Sequence, residues 1–160
     1  MRKKKIRIAI AITITLVVGI FLYKQIVLDE YKPADDEVAL HIQMNTQEDI
    51  GLLVLDYYVD GEQYSGGISN ADGSLIKRND PDLLWVWNEQ ELSCSTDVVE
   101  LSIRFRVITE YVEPNFENIY PEEITQYIDT PISWNAHFGE GYYITITGDK
   151  VNGYKAELSK

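Results

Sequence analysis

Residues 99–107 read VELSIRFRV, a run in which apolar and polar side chains alternate without a break. Successive side chains of a β-strand point to opposite faces, so this period of two indicates a strand with one packed face and one face in solvent. Residues 38–45, VALHIQMN, alternate in the same way. Two half-buried strands therefore set the fold class, and the remaining segments are interpreted around them.

Turn signals divide much of the remaining chain into further short strands. Residues 52–59 are apolar on both faces apart from Asp56, which favours a more central strand. Asp60-Gly61 is typical of a two-residue hairpin turn and leads to a predicted strand at 63–68. Other strands are predicted at 75–76, 83–87, 132–138, 142–147 and 154–158.

One short helix is predicted from Pro121 to Ile128. A proline followed by Glu122 and Glu123 suits a first helical turn, and Pro131 ends the segment. The chain is otherwise all-β, with seven to nine strands and turn signals about every 8–12 residues. We predict an antiparallel β-sandwich over 38–160, immunoglobulin-like in the broad sense, with a small closed barrel as the alternative. The Cys and Trp spacing of true immunoglobulin domains is absent.

Charge separates the first 28 residues from the rest of the chain. Six of the 14 basic residues lie there, and the first acidic residue is Asp29. Residues 29–160 hold the other 8 basic residues and all 26 acidic ones, a formal charge of −18. An acidic chain with a pI near 4.5 lacks the basic surface that binds phosphate backbones, so no nucleic-acid partner is expected.

Residues 8–28 are long and apolar enough to span a membrane. Only Lys24 among them is charged, and 21 residues of helix cover about 31 Å, roughly the hydrocarbon thickness of a bilayer. The positive-inside rule makes residues 1–7 a cytoplasmic basic stub, 29–37 an acidic tether and 38–160 an extracytoplasmic domain. A cleaved signal peptide is the alternative, although no small-x-small cleavage site follows the apolar run.

Few residues offer chemistry for catalysis. His41 and His137 both occupy polar-face positions of predicted strands, where a solvated imidazole is expected. Cys94 has no cationic neighbour to activate it, so we expect an inert thiol, with an intermolecular disulfide as the alternative. We predict no catalytic residue, no enzyme activity and no cofactor.

Two weaker patterns concern ligands. Candidate calcium ligands are Asn70, Asp72, Asp80 and Asp82, which lie in two neighbouring turns, but these residue types favour turns on their own account. Trp85 and Trp87 share one strand face with Leu83, and we expect core packing for them rather than a platform for sugar. No metal site is predicted.

The segment 110–129 is the candidate recognition surface, because it is long, lacks strand signals and contains no basic residue. Aromatic side chains beside carboxylates suit a basic protein or peptide partner. The candidate contact residues are Glu110, Tyr111, Glu113, Phe116, Glu117 and Tyr120. The competing interpretation is a loop whose aromatic side chains cover one end of the sandwich.

The layout of basic stub, single span and small acidic β-domain is similar to that of many small envelope proteins of bacteria. That resemblance carries no functional residue. It favours a single-pass cell-membrane protein that acts as a non-enzymatic interaction or accessory protein, with the membrane and another envelope protein as partners. The alternative function is a β-sandwich module that binds calcium or wall carbohydrate.

Overall fold

The computed structural model describes residues 31–59, 61–93, 97–115 and 117–159. Residues 32–160 form one compact unit. The described part of the chain contains nine strands and one short 3-10 helix. The strands are β1 Glu37–Thr46, β2 Leu52–Val59, β3 Glu62–Ile68, β4 Leu83–Asn88, β5 Val98–Ile108, β6 Thr125–Tyr127, β7 Ile132–His137, β8 Gly141–Asp149 and β9 Gly153–Ser159.

The strands form two sheets, so the all-β prediction is confirmed. The four-stranded sheet has the order β4-β1-β8-β9, and the five-stranded sheet has the order β3-β2-β5-β6, with β7 also paired to β5. β6 and β7 pair with successive parts of β5, since Tyr127 pairs with Arg106 and Ile132 pairs with Ile103. Among the described strands all pairs are antiparallel except one: β1 and β8 run parallel over eight residue pairs. The four-stranded sheet is therefore mixed and not antiparallel as predicted, whereas the described pairs of the five-stranded sheet are all antiparallel.

Side chains from both sheets share one apolar core, consistent with a β-sandwich. The alternating residues that defined the predicted strands point into it, including Leu40 and Ile42 from β1 and Ile103 and Phe105 from β5. Residues of opposite parity point outward, as the period of two requires. The core prediction for Trp85 and Trp87 is also confirmed: Trp87 is buried, and Trp85 packs against the core while partly exposed, as Trp134 does.

The Asp60-Gly61 hairpin forms as predicted. Val59 pairs with Glu62, which leaves a two-residue connection, and Gly61 has φ +86°, the left-handed conformation that such turns require. Asp60 itself lies outside the described residues.

Two predicted elements differ in the structure. The helix over 121–128 is only a 3-10 turn, Glu122–Ile124, followed by strand β6. Pairing with β5 supplies the backbone hydrogen bonds here, and the Ile128 N–H continues the pattern by donating to Phe105 O at 2.9 Å. The strand predicted at 75–76 is a single bridge between Ile76 and Ile50.

The outer face of β1 is more buried than predicted. Ala39 and His41 lie on that face, yet both are buried, and only 4% of His41 is exposed. The Tyr143 ring of β8 stacks on the imidazole at 4.9 Å between ring centroids, and Asp82 lies against its Nδ1. The expectation of a solvated His41 was therefore wrong, because neighbours from other elements cover this face. His137 is exposed as expected.

Several predictions concern residues that the structure does not describe. These are the basic stub 1–7, the transmembrane helix 8–28, the first residues of the tether, Cys94 and Phe116. Over the described ranges, no helix has the length and apolar character needed to cross a membrane.

Candidate functional site

The predicted recognition segment leaves the end of β5 and crosses the outer face of the five-stranded sheet. Of the candidate contact residues, Glu110, Tyr111, Glu113 and Glu117 are exposed. Tyr120 is buried and packs with Leu52, Val54 and Ile108 in a small second apolar cluster. Tyr120 therefore holds the segment to the sheet and is not available as a surface contact. We call the described residues 110–115 and 117–120 the acidic loop.

The start of the acidic loop is fixed by a close backbone crossing at Gly51. The Gly51 N–H donates to Ile108 O at 2.8 Å. A Cβ atom at Gly51 would lie only 1.8 Å from the Glu110 carbonyl oxygen, so the position admits no side chain while the loop keeps this path. Glycine is therefore needed for the path that the loop takes.

The far end of the acidic loop is held by a nearly buried ion pair on the sheet. Arg106 donates from Nε to Asp56 Oδ2 at 2.6 Å and from Nη2 to Asp56 Oδ1 at 2.9 Å, a bidentate arrangement. The remaining nitrogen, Nη1, donates to the Asn118 carbonyl oxygen at 2.7 Å. Asn118 has φ +51°, a conformation that asparagine tolerates better than most residues. One guanidinium thus links β2, β5 and the loop.

The loop closes on itself at its exposed tip. Asn115 Nδ2 donates to Ile119 O at 3.0 Å, and the Ile119 N–H points back to Asn115 Oδ1 at 3.4 Å. The Ile119 side chain is 71% exposed, a high value for an aliphatic residue on a fixed backbone. Tyr111 is exposed as well, so apolar surface and carboxylates stand side by side.

Beside the loop anchor lies a groove that the sequence did not predict. It has a volume of about 320 Å³ and is lined by Asp56, Tyr58, Gln63, Arg104, Arg106 and Tyr127. Four of these side chains come from the outward faces of β2 and β5, and Gln63 and Tyr127 come from β3 and β6. Outward polar residues on a strand are usually solvated, and only the strand pairing brings these particular ones together.

The candidate calcium ligands are engaged in local hydrogen bonds. Asn70 Nδ2 donates to Ser74 Oγ and to Leu75 O, while Asp72 accepts the Ser74 N–H at 2.9 Å. Hydrogen bonds from Ser74 hold the pKa of Asp72 below its ordinary value. Within the described ranges, no three His, Cys, Asp or Glu side chains are grouped closely enough to hold a metal ion.

The second turn uses its carboxylates in the same local way. Asp80 Oδ1 accepts from the Asp82 N–H at 3.3 Å, and Asp82 Oδ1 lies 2.8 Å from His41 Nδ1. Asp82 therefore serves to hold the buried histidine. His41 lies on the four-stranded sheet and His137 on the five-stranded sheet.

No protein-family model matches the chain, and no curated protein matches it in sequence. Among solved structures, the chain is similar to the human-specific toxin intermedilysin at 12% identity and a TM-score of 0.33, covering 78% of this chain and 24% of that one. A structure described as "Trapped Toxin" is similar at 11% identity and a TM-score of 0.32, covering 77% and 23%. The chain spans about a quarter of the length of these toxins, and likenesses this weak carry no argument on function.

Proposed function

We propose that this chain is a non-enzymatic interaction protein of the bacterial cell envelope, anchored by residues 8–28 and displaying an immunoglobulin-like β-domain, in the broad sense, outside the cell membrane. Its partner is a basic envelope protein, and the acidic loop is the contact surface. The observation that carries the proposal is the display of exposed apolar and acidic side chains on a loop whose two ends are anchored to the sheet.

Preorganisation is what makes the loop suited to binding. Gly51 fixes its start, Tyr120 and Arg106 hold its far end, and Asn115 closes its tip. A loop already held in one conformation loses little entropy on association, so more of the contact energy appears as affinity. Ile119 and Tyr111 supply the apolar part of such a contact.

Charge selects the partner. Glu113 and Glu117 lie between the exposed Tyr111 and Ile119 along the chain, and residues 29–160 as a whole carry a formal −18. Such a field attracts basic proteins over a distance and repels anionic lipid headgroups, which favours a domain held away from the membrane surface. Binding should weaken as salt rises from low to physiological strength, because exposed charges are then screened.

The test is photo-crosslinking in cells that express the full chain. A photoreactive phenylalanine analogue replaces Ile119 in one strain and Val151 in another, since Val151 is also highly exposed but lies in the β8–β9 turn. We expect a discrete protein adduct from position 119 only. Glu113→Lys with Glu117→Lys should remove that adduct, whereas the same charge change at Glu89 and Glu157, both exposed outside the loop, should not.

Two outcomes contradict the proposal. Equal adducts from positions 119 and 151 would show non-selective contact, and an adduct that survives the loop charge reversals would remove the electrostatic argument. The orientation is checked separately, by adding protease to intact protoplasts. The C-terminal domain should be digested there, and its full protection would place it on the cytoplasmic side.

The carbohydrate-binding alternative has one observation in its favour, the groove between Tyr58 and Tyr127. Calcium binding has no comparable support, because the candidate ligands make hydrogen bonds within their own turns and to His41.

A further inference from the structure

The groove on the outer face of the five-stranded sheet carries an inference of its own, independent of the acidic loop. We call it the tyrosine groove. Tyr58 also lines a second depression of about 350 Å³, together with Gly61, Glu100 and Ser102. The two depressions share Tyr58, and each is near the lower end of the volume range of small-molecule sites.

Arg104 is the notable charge in the tyrosine groove. Its backbone pairs with that of Asp56 across β2 and β5, but both carboxylate oxygens of Asp56 are taken by Arg106, and Ser65 also donates to Oδ1 at 2.7 Å. Within the described ranges, the exposed Arg104 side chain makes no hydrogen bond or ion pair. A guanidinium with its donors unused is suited to bind a carboxylate in a bidentate manner.

Two tyrosine rings accompany this cation. Tyr58 is 40% exposed and Tyr127 is 58% exposed, although both stand on paired strands whose backbones are fixed. Exposed aromatic rings on a rigid sheet offer flat apolar area together with a hydroxyl group, at little cost in conformational entropy. Gln63 adds an amide donor and acceptor at the edge of the same site.

We infer that the tyrosine groove binds a carboxylated saccharide. The sugar carboxylate contacts Arg104, the C–H faces of the sugar rings pack on Tyr58 and Tyr127, and ring hydroxyls exchange hydrogen bonds with Gln63 and Ser102. Glu100 in the second depression repels a further anion, so the charged sugar lies on the Arg104 side and a neutral one beyond Tyr58. The lining offers no apolar pocket for a peptide side chain, which favours sugar over a peptide carboxylate.

The experiment is a titration of the full 160-residue chain, kept in detergent micelles, with a trimer of galacturonic acid and with the methyl ester of the same trimer. The two probes differ only in their carboxylates. We expect the acid to bind and the ester to bind at least about tenfold more weakly, the loss expected when a charge-assisted pair is removed. Acetate and a short peptide with a free C-terminal carboxylate test for simple anion or peptide binding.

Variants locate the site. Arg104→Gln should weaken binding of the acid about tenfold and leave the ester unchanged, while Tyr127→Ala should weaken both probes. Lys155→Gln, which removes an exposed positive charge from β9 of the other sheet, should have no effect. A circular dichroism spectrum confirms that each variant is folded.

The inference is overturned if neither probe binds at concentrations up to about 10 mM, or if acid and ester bind equally. It is also overturned if Arg104→Gln binds like the unchanged protein, or if acetate or the peptide competes as well as the trimer does. The crosslinking test at Ile119 does not depend on any of these results, so failure of one proposal leaves the other standing.

Discussion

Arg104 and Arg106 stand two positions apart on the same face of β5 and have opposite environments. The side chains of Arg106 and Asp56 are 11% and 13% exposed. The Arg106 guanidinium donates hydrogen bonds to Asp56 and to the acidic loop. Arg104 is exposed and lines the tyrosine groove. Arg106 thus has a structural role, whereas Arg104, the neighbouring residue on the same face of β5, has a proposed binding role.

This difference gives a prediction about stability. Arg106→Ala should lower the free energy of unfolding by about 3 kcal/mol, because it leaves the Asp56 carboxylate nearly buried without its partner. Arg104→Ala is the matched control and should change stability by no more than about 0.5 kcal/mol. Urea unfolding measures both. Hydrogen exchange should also quicken in the acidic loop of Arg106→Ala, and equal effects of the two variants would contradict the assignment.

His41 shows where residue-level prediction stops. Its position on the alternation of β1 was predicted correctly, but its burial depends on Tyr143 from β8 and Asp82 before β4. Those contacts come from strand pairing, which local periodicity does not encode. The tyrosine groove was missed for the same reason: Tyr58, Arg104 and Tyr127 lie far apart in sequence, and each by itself is an ordinary exposed residue.

At the scale of elements, β3 packs on the opposite sheet through a glycine. Gly66 lies on the inner face of β3, opposite Leu55, and a Cβ atom there would be 2.3 Å from Cη2 of Trp85 on β4. The missing side chain therefore provides the space that the indole ring occupies between the two sheets.

We predict that Gly66→Ala displaces the Trp85 ring. The cost should be about 1–3 kcal/mol of unfolding free energy, the usual penalty for overpacking, with a change in tryptophan fluorescence of the folded protein. Gln63→Ala, on the exposed outer face of the same strand, is the control and should have little effect on either. Unchanged fluorescence and stability in Gly66→Ala would show that β3 moves away from β4 at no cost.

Strands were more predictable than their arrangement. Period-two alternation located β1 and β5 and the turn residues located β2 and β3, because both signals are local. The replacement of a helix by β6 was not predicted, since a glutamate-rich first turn fits a 3-10 turn and an α-helix equally. The parallel pairing of β1 with β8 has no local signal at all.

At the scale of the whole molecule, tyrosines with raised pKa values occur on both sheets. Burial raises the pKa values of Tyr57, Tyr142 and Tyr154, the last also beside the Glu48 carboxylate that its hydroxyl contacts. A hydrogen bond to Glu62 raises that of Tyr64. Folding therefore favours the protonated phenols at several separate places.

The consequence is a predicted loss of stability at alkaline pH. Above about pH 10 the unfolded chain releases tyrosine protons that the folded chain retains, so the free energy of unfolding falls, by at most about 1.4 kcal/mol per pH unit for each such tyrosine. Below that pH the phenols are protonated in both states, so these groups do not change the free energy of unfolding as the pH varies. Urea unfolding between about pH 9 and pH 11 measures the slope. Tyr154→Phe should reduce it, and an unchanged slope in that variant would contradict the prediction.

The parallel β1–β8 pair imposes an order on biogenesis. β1 is among the first segments of the domain to leave the ribosome, but β8 follows about a hundred residues later. At 5–20 residues per second that interval lasts roughly 5–20 s, during which β1 has no β8 backbone to pair with. The four-stranded sheet can therefore be completed only after β8 and β9 have been synthesised, and until then the nascent chain must be kept from aggregating through that open edge.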